Sequence, residues 1–322
     1  MREQLHRRGA AGPVIARLFA SAARAAGLLV LASVAVFGAT ELLPSDAART
    51  RSGGTAAAGL RDRLGLDRPA WRRYADWLAG LARGDAGDSL LTDRPVAQMV
   101  AERLPATLTL AGCALALTVP LMGALAWAVG TASSRRRGPL TGVVTTLAAV
   151  PQVVFAAGMA ALFAGVLAWL PPVSLVPPDG APLDRPEILV LPSLALAIPA
   201  AAFGAALLGG AVADTVRRPH VSSAVARGVP GTRVAARHVL PCLLAPAVRV
   251  LAVVAGGMLA ATAVVETLFG YSGLGELLVS SIGTRDVPVV QAVAMPAAGT
   301  VLAGLLTADV LAALTDPHRK TA

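Results

Sequence analysis

Long stretches without charge alternate with short charged segments along this chain. Six stretches are predominantly apolar; the first ends beside Glu41, and the last two contain one charged residue each, Arg249 and Asp309. Because an α-helix rises 1.5 Å per residue, about 20 apolar residues cross the hydrocarbon core of a bilayer. The pattern therefore predicts an all-α fold with six transmembrane helices. The predicted spans are residues 27–43, 104–134, 138–178, 188–213, 241–265 and 287–314.

The composition supports a polytopic membrane protein. Of the 322 residues, 55% are hydrophobic and only 15% are charged, and the mean hydropathy is +0.66. A soluble domain of this size needs more polar surface to cover its core. The composition thus excludes a large soluble domain.

Arginine clusters predict the orientation of the spans. Basic residues concentrate in the N-terminal segment, at 135–137, at 217–238 and at 318–320. Cytoplasmic loops are enriched in Arg and Lys, so these segments and both termini are predicted to be cytoplasmic. A cleaved secretory signal is the alternative for the first span. A retained helix is preferred because no clean small-x-small site follows it and the span count stays even.

The connection at residues 44–103 is predicted to be external and to contain an amphipathic helix. After Pro69, aromatic and aliphatic side chains recur at helical spacing. They are Trp71, Tyr74, Leu78 and Leu81. Aromatic rings beside charged residues suit a membrane interface. The helix is predicted either to pack against the external ends of its own bundle or to contact an external partner.

The basic loop between the fourth and fifth predicted spans has a more specific pattern. From Pro219, small or β-branched residues follow at i, i+3, i+4 and i+7, and they are Val221, Ala224, Val225 and Gly228. Small side chains let a helix backbone approach a partner closely. After the break at Gly228, Thr232 is predicted to cap a second helix that leads to Pro241. The alternative is a solvated basic tether.

The same loop resembles the cytoplasmic signature of the inner-membrane permeases of ATP-binding-cassette (ABC) importers. In that family the signature is Glu-Ala-Ala, three residues, Gly, nine residues and Ile-x-Leu-Pro. This chain has Ser222-Ser223-Ala224, three residues, Gly228, nine residues and His238-Val239-Leu240-Pro241. The spacing agrees throughout, although Ser222 replaces the Glu and His238 replaces the Ile.

Two further segments are similar to the permeases of dipeptide, oligopeptide and nickel importers that have a long first external loop. They are VVETLFGYSGLGELLVSSIGTRDVPVVQ at residues 264–291 and GLDRPAWRRYADWLAGLARGDAGDS at residues 65–89. The resemblance implies alternating access and a substrate among peptides or nickel-type small solutes. The implied domains are a cytoplasmic segment 1–26, a first span 27–43, an external loop 44–103, a permease domain 104–314 with a coupling loop 214–241, and a cytoplasmic tail 315–322.

The resemblance also implies a coupling helix that docks in a groove of a cytosolic ATPase. The implied coupling residues are Val221, Ser222, Ser223, Ala224, Val225, Arg227, Gly228, Leu240 and Pro241. The implied external-loop motif consists of Glu266, Gly273, Leu274 and Gly275. The implied partners are ABC ATPase subunits, a second paralogous permease, an external solute-binding protein and the lipid bilayer, but no nucleic acid.

Residues for chemical catalysis are not indicated. The sequence has no G-x-x-x-x-G-K-[ST] phosphate loop, and its single lysine is Lys320. The two cysteines, Cys113 and Cys242, predict neither a disulfide nor a metal site. We therefore expect no catalytic residue, no cofactor and no metal, and ATP hydrolysis by another chain. Arg249 is predicted to reach the cytoplasmic headgroups, and Asp309 to serve helix packing.

Two other function classes compete with a permease subunit. An ion-coupled secondary transporter needs paired intramembrane carboxylates or repeated broken helices, and the predicted spans offer one candidate acid, Asp309. A membrane scaffold without transport would tolerate changes in the basic loop. The motif spacing favours the permease.

Overall fold

The computed structural model describes residues 11–42, 68–175 and 182–315. Within these ranges the chain is helical, and an isolated bridge pairs Asp88 with Pro95. The helices are α1 Ala11–Leu42, α2 Ala70–Ala82, α3 Val96–Thr131, α4 Ser134–Ala149, α5 Gln152–Ala160, α6 Glu187–Val216, α7 Pro219–Ala226, α8 Gly231–Val234, α9 Leu240–Phe269, α10 Leu274–Thr284 and α11 Val287–Thr315.

Five helices in the described ranges are long and apolar enough to cross a bilayer. They are Phe19–Thr40, Val96–Thr131, Glu187–Val216, Gly231–Phe269 and Val287–Gly304. A sixth span results if α4 and the helix Gln152–Val166 are counted together, although they are bent by 94° at their junction. The expectation of an all-α polytopic membrane protein is confirmed.

The helix bounds differ from the apolar runs at several places. Helix α1 begins well before residue 27, and α3 begins before residue 104, so that it includes the charged residues Glu102 and Arg103. Helix formation requires satisfied backbone hydrogen bonds rather than apolar side chains, so a helix continues past the hydrophobic run that crosses the membrane. The predicted cytoplasmic tail after Thr315 lies outside the described residues.

The run at residues 138–178 is bent rather than straight. Val150 has an extended backbone (φ −65°, ψ 126°) between α4 and α5, because a following proline disfavours the helical conformation. Pro151 then stands at the start of α5. Helix α5 continues as a π-helical segment that ends at Val166, so the helical part stops well before residue 178.

Helix α6 lies at the centre of the bundle and packs against α3, α4, α5 and α9. Its packed faces consist largely of small residues, among them the fully buried Ala195, Ala201 and Ala205. A Cβ added at Gly204 would lie 2.4 Å from the Sδ of Met122 on α3. Small side chains let neighbouring helices approach this closely in a membrane protein.

Helices α1 and α2 lie at the periphery. Helix α1 packs on α11, and the Nε2 of Gln291 donates a 2.8 Å hydrogen bond to the Oγ1 of Thr40. The rings of Tyr74 and Trp77 on α2 lie 5.4 and 5.9 Å from Phe37 of α1. The predicted amphipathic helix is thus present and packs against its own bundle through these two rings, whereas Trp71 remains 65% exposed.

Candidate functional site

The short helix α7 connects two central helices at one end of the bundle, which we call the α7 end. Residue Arg218 is extended (φ −64°, ψ 144°) and separates α7 from α6. On the other side, Gly228 has φ +76°, a left-handed conformation that glycine adopts at little cost. Its N–H donates to the carbonyl of Val225 at 2.9 Å. These two turns place α7 across the end of the bundle.

The predicted small face of α7 is divided in the structure. Val221 and Ala224 are 2% and 0% exposed, and they pack in a core cluster with Val212 of α6 and Val234 of α8. Val225 is 58% exposed. The prediction that one face presents all the small residues to a partner is therefore wrong. Val221 and Ala224 instead anchor α7 to its own bundle, because burying their apolar side chains there is favourable.

The other side of α7 is exposed. Its accessible residues include Ser222, Ser223, Val225, Arg227 and Gly228. The Ser222 hydroxyl donates to the carbonyl of Pro219 at 3.0 Å. Leu240 and Pro241, from the second half of the signature, are also exposed. Most of the predicted coupling residues thus remain accessible to a partner, whereas Val221 and Ala224 are buried against the bundle.

The helix after α7 begins differently from the prediction. Its N-cap is Pro230, without a side-chain cap hydrogen bond, and Thr232 lies inside α8. The predicted cap at Thr232 is wrong because the extended Pro230 already starts the helix. Pro241, in the first turn of α9, cannot donate a backbone hydrogen bond. A π-helical turn at Ala235–Val239 precedes it, so α8 and α9 form one continuous helix, Gly231–Phe269.

The surface around α7 is positively charged. Residues 214–241 contain five arginines and a single acidic residue, Asp214. The exposed arginines are Arg217, Arg218, Arg227, Arg233 and Arg237. Such a surface attracts either anionic headgroups or an acidic protein surface.

The external-loop motif is assembled around a buried carboxyl group at the opposite end, which we call the α10 end. Glu266 of α9 is fully buried. It accepts hydrogen bonds from the Thr107 hydroxyl at 2.8 Å, from the Gly275 N–H at 2.7 Å and from the Glu276 N–H at 3.2 Å. The backbone donors belong to the first turn of α10, where a carboxylate is favourable.

Two glycines make room for this arrangement. A Cβ added at Gly273 would lie 2.3 Å from the Glu266 carboxyl carbon, and one added at Gly275 would lie 2.3 Å from the Ala263 Cα. The Thr107 hydroxyl also accepts the N–H of Leu274 at 2.7 Å. The four motif residues therefore join α9 to α10, and the hydrogen bonds of Thr107 connect α3 to both helices.

Further polar contacts hold the α10 end together. The buried Tyr271 hydroxyl donates to the carbonyl of Ala106 at 2.8 Å, and burial raises the pKa of Tyr271, which keeps it a donor. Arg103 pairs with Glu276 at 2.8 Å. The carboxylate of the buried Asp286 accepts from the Ser89 hydroxyl and from the Leu90 N–H. The loop between α2 and α3 is thus tied to the start of α11.

Sequence reasoning missed Thr107, Ser89 and Asp286. Asp286 carries a detectable signal, since Asp directly before a helix is a typical N-terminal residue. Nothing in the sequence around Thr107 or Ser89 distinguishes them from other hydroxyl residues. Their partners lie 159 and 197 residues away in the chain.

A cavity of about 230 Å³ lies beside the bend between α4 and α5. Its lining residues are Ala148, Val150, Gln152, Leu196, Pro199, Ala200, Phe203, Val253, Val254, Gly257, Met258 and Ala261. Gln152 is the polar side chain among them, and its Nε2 donates to the carbonyl of Ala195 at 2.8 Å. The exposure of Phe203 and Val253, 42% and 38%, shows that the cavity opens at the surface of the bundle.

Potential metal ligands do not cluster in the described part of the chain, where no group of three His, Cys, Asp or Glu residues could hold a metal ion. Cys113 and Cys242 are free thiols.

A helical bundle with several apolar helices long enough to cross a membrane, with a short helix on a basic surface at one end and a surface cavity beside a bent span, has the features of a membrane transport protein. Comparison with known proteins specifies the class. Residues 121–321 match the family described as the binding-protein-dependent transport system inner membrane component.

Curated relatives match over most of the chain. A putative peptide transport system permease protein of Brucella abortus is 30% identical over 306 residues, which cover 92% of this chain and 96% of the relative. The glutathione transport system permease protein of Pectobacterium atrosepticum is 33% identical over 271 residues, covering 82% and 85%. Its counterpart from Escherichia coli K12 is 32% identical over 270 residues, covering 82% and 85%.

This chain belongs to the family of binding-protein-dependent transport system inner membrane components, the permease subunits of ABC importers. The resemblance seen in the sequence is confirmed, and an ion-coupled secondary transporter is not favoured. Systems of this kind work in general with ATPase and solute-binding protein partners. The chain is therefore a multi-pass component of the cytoplasmic membrane.

Proposed function

We propose that this permease subunit imports small peptides by alternating access and that partner ATPases drive it through α7. The names of the reported relatives support a peptide substrate over nickel-type solutes, since one is a peptide permease and two are glutathione permeases. Glutathione is itself a small peptide.

The way in which α7 is attached to the bundle supports its proposed role in coupling. Short turns join it to α6, the central helix, and to the continuous helix Gly231–Phe269. Its inner side is packed into the bundle through Val221 and Ala224. A force applied to its exposed side therefore reaches two spans that line the cavity, because packed interiors transmit displacement instead of absorbing it.

The outer motif has a complementary role. Glu266, Gly273, Leu274 and Gly275 hold α10 against α9, and Thr107 extends the contact to α3. We assign to this cluster the task of keeping the outer connection rigid while the α7 end moves.

Charge and the open cavity support the proposed orientation and partners. The arginine-rich α7 end and both termini face the cytoplasm, in line with the positive-inside rule. ATP is hydrolysed by separate subunits, since the sequence has no phosphate-binding loop. A second, paralogous permease faces α6 and α9, so that the cavity, which this chain leaves open at its surface, lies on the pathway between the two subunits.

A bulky residue on the exposed side of α7 tests the coupling proposal. The change Ser223→Trp adds volume where the ATPase docks, so the amount of ATPase that co-purifies with the permease should fall about tenfold or more. Peptide uptake should fall with it. Because Ser223 is exposed, membrane insertion and thermal stability of the permease should be unchanged.

Ser134→Trp is the matched control. Ser134 is exposed at the start of α4, outside the proposed docking helix, so the variant should retain the ATPase. Equal recovery of the ATPase with Ser223→Trp and with the unmodified chain would contradict docking on α7.

A further inference from the structure

An arginine, Arg249, lies within the span formed by α9 and has no partner among the residues that the structure describes. Arg249 is exposed, and the structure gives it no hydrogen bond or ion pair with any described residue. Charged residues inside membrane spans usually face a water-filled cavity or a bundle interior and mark solute pathways. The position of Arg249 relative to the cavity is therefore informative.

Arg249 shares a helix face with residues that line the cavity. Val253 and Gly257 follow it at i+4 and i+8, which places them near one side of α9, and both line the cavity. At 1.5 Å per residue, Arg249 lies about 6 Å along the axis from Val253, toward the α7 end. Arg249 is not itself a lining residue; it lies about one helical turn beyond the lining residue Val253, on the proposed ATPase side of the cavity.

The cavity itself provides no charge that could neutralise Arg249. Its lining residues are uncharged, and the amide nitrogen of Gln152 is occupied by the Ala195 carbonyl. On α9, the acidic residue Glu266 is buried and bonded at the far end of the helix. On α6, Gly204 faces Val254 of α9, so Asp214 lies about 7.5 Å along the axis beyond Arg249, on the α7 side and outside the cavity.

We propose that Arg249 is the binding residue for an anionic group, such as a free carboxylate, of the solute that passes through this cavity. The proposal rests on the proposed transport function and adds a substrate class, namely solutes that carry a negative charge. The positive charge of Arg249 replaces the water that the anion loses when it enters the apolar cavity. The contact lies at the α7 side of the cavity, where an imported solute leaves it.

Charged thiol reagents test this site without knowledge of the solute. In a full-length chain with Cys113→Ala and Cys242→Ser, a single cysteine is introduced as Val253→Cys. Inverted membrane vesicles are then treated with two methanethiosulfonates of similar size, one with a sulfonate group and one with a quaternary ammonium group. The sulfonate reagent represents the anionic group of the solute.

We expect the anionic reagent to modify Val253→Cys faster than the cationic one. The ratio of the anionic to the cationic rate should fall about tenfold when Arg249→Gln removes the charge. The reason is that the positive charge near Val253 raises the reaction rate of the anionic reagent and lowers that of the cationic one. Arg249→Lys should restore the ratio. The matched control is Leu244→Cys, an exposed position on a different face of α9, where Arg249→Gln should leave the ratio unchanged.

Two results would overturn the proposal. If neither reagent modifies Val253→Cys, this face is covered by lipid or protein and Arg249 serves the membrane headgroups. If the ratio is the same with Arg249 and with Gln, the arginine does not select anions in the cavity. Neither result affects ATPase recovery with Ser223→Trp, so failure of this proposal is distinguishable from failure of the coupling proposal.

Discussion

Glu266 is a buried carboxyl group that joins three helices. Its three hydrogen-bond donors come from Thr107 on α3 and from two backbone N–H groups of α10. Buried polar groups are stabilising only when such partners are present, and the loss of a partner costs more than the bond contributes. The space for this carboxyl group exists because residue 273 has no side chain.

A methyl group at position 273 should disrupt this contact. Gly273→Ala would place a Cβ 2.3 Å from the Glu266 carboxyl carbon, so the carboxyl group must move away from its donors. We expect the free energy of unfolding to fall by about 3 kcal/mol, measured as thermal stability in detergent. Gly283→Ala, on the open side of α10, should be near neutral. Equal stability of the two variants would show that Glu266 can relocate without loss.

At the scale of elements, α7 combines an anchored side with an exposed side. Val221 and Ala224 hold it to the bundle, and the left-handed Gly228 lets the chain reverse directly into α8. The helix is only eight residues long, so its own hydrogen bonds cannot stabilise it in isolation. Its geometry therefore depends on packing and on the turn at Gly228.

The turn at Gly228 predicts a difference between two neighbouring glycines. A side chain in the left-handed region costs about 1–2 kcal/mol, so Gly228→Ala should shift α7 and lower peptide-stimulated ATPase activity of the purified complex. Gly231→Ala is the control, because Gly231 lies at the start of α8 with open space around it. Equal loss of activity in both variants would exclude the turn conformation as the cause.

At the scale of the whole molecule, the two ends of the bundle differ in construction. The α10 end is joined by buried hydrogen bonds of Glu266, Tyr271 and Asp286. The α7 end is basic and exposes its short helix. The central helix α6 connects the two ends and contacts most of the other spans. This asymmetry suits a permease that is driven from one side and receives solute from the other.

Labelling from the two sides of the membrane tests the orientation. In the background without Cys113 and Cys242, a membrane-impermeant maleimide should label Thr92→Cys in intact cells, because Thr92 is exposed in the loop at the α10 end. Ser223→Cys should react only in inverted vesicles. Reaction of Ser223→Cys in intact cells would reverse the orientation and remove the basis for ATPase docking.

Several features of the candidate site could not be read from the sequence because they depend on contacts between distant segments. Helical spacing placed Val221, Ala224, Val225 and Gly228 near one another, but only packing showed that the bundle covers the first two. Thr107 acquires its role through Glu266, 159 residues away. A local pattern identifies residues that share a face, but it does not identify the neighbour that covers it.

The sequence by itself determined that this is an all-α membrane protein, because the hydrocarbon core requires long apolar helices wherever the chain crosses it. It also indicated the family through the spacing around Gly228, since that spacing is a local property of the chain. Only the tertiary structure decided which side of α7 is accessible, how Glu266 is satisfied and where the cavity lies beside Arg249. Those features arise from packing and hydrogen bonds between segments that are far apart in sequence, and such pairings leave no local pattern.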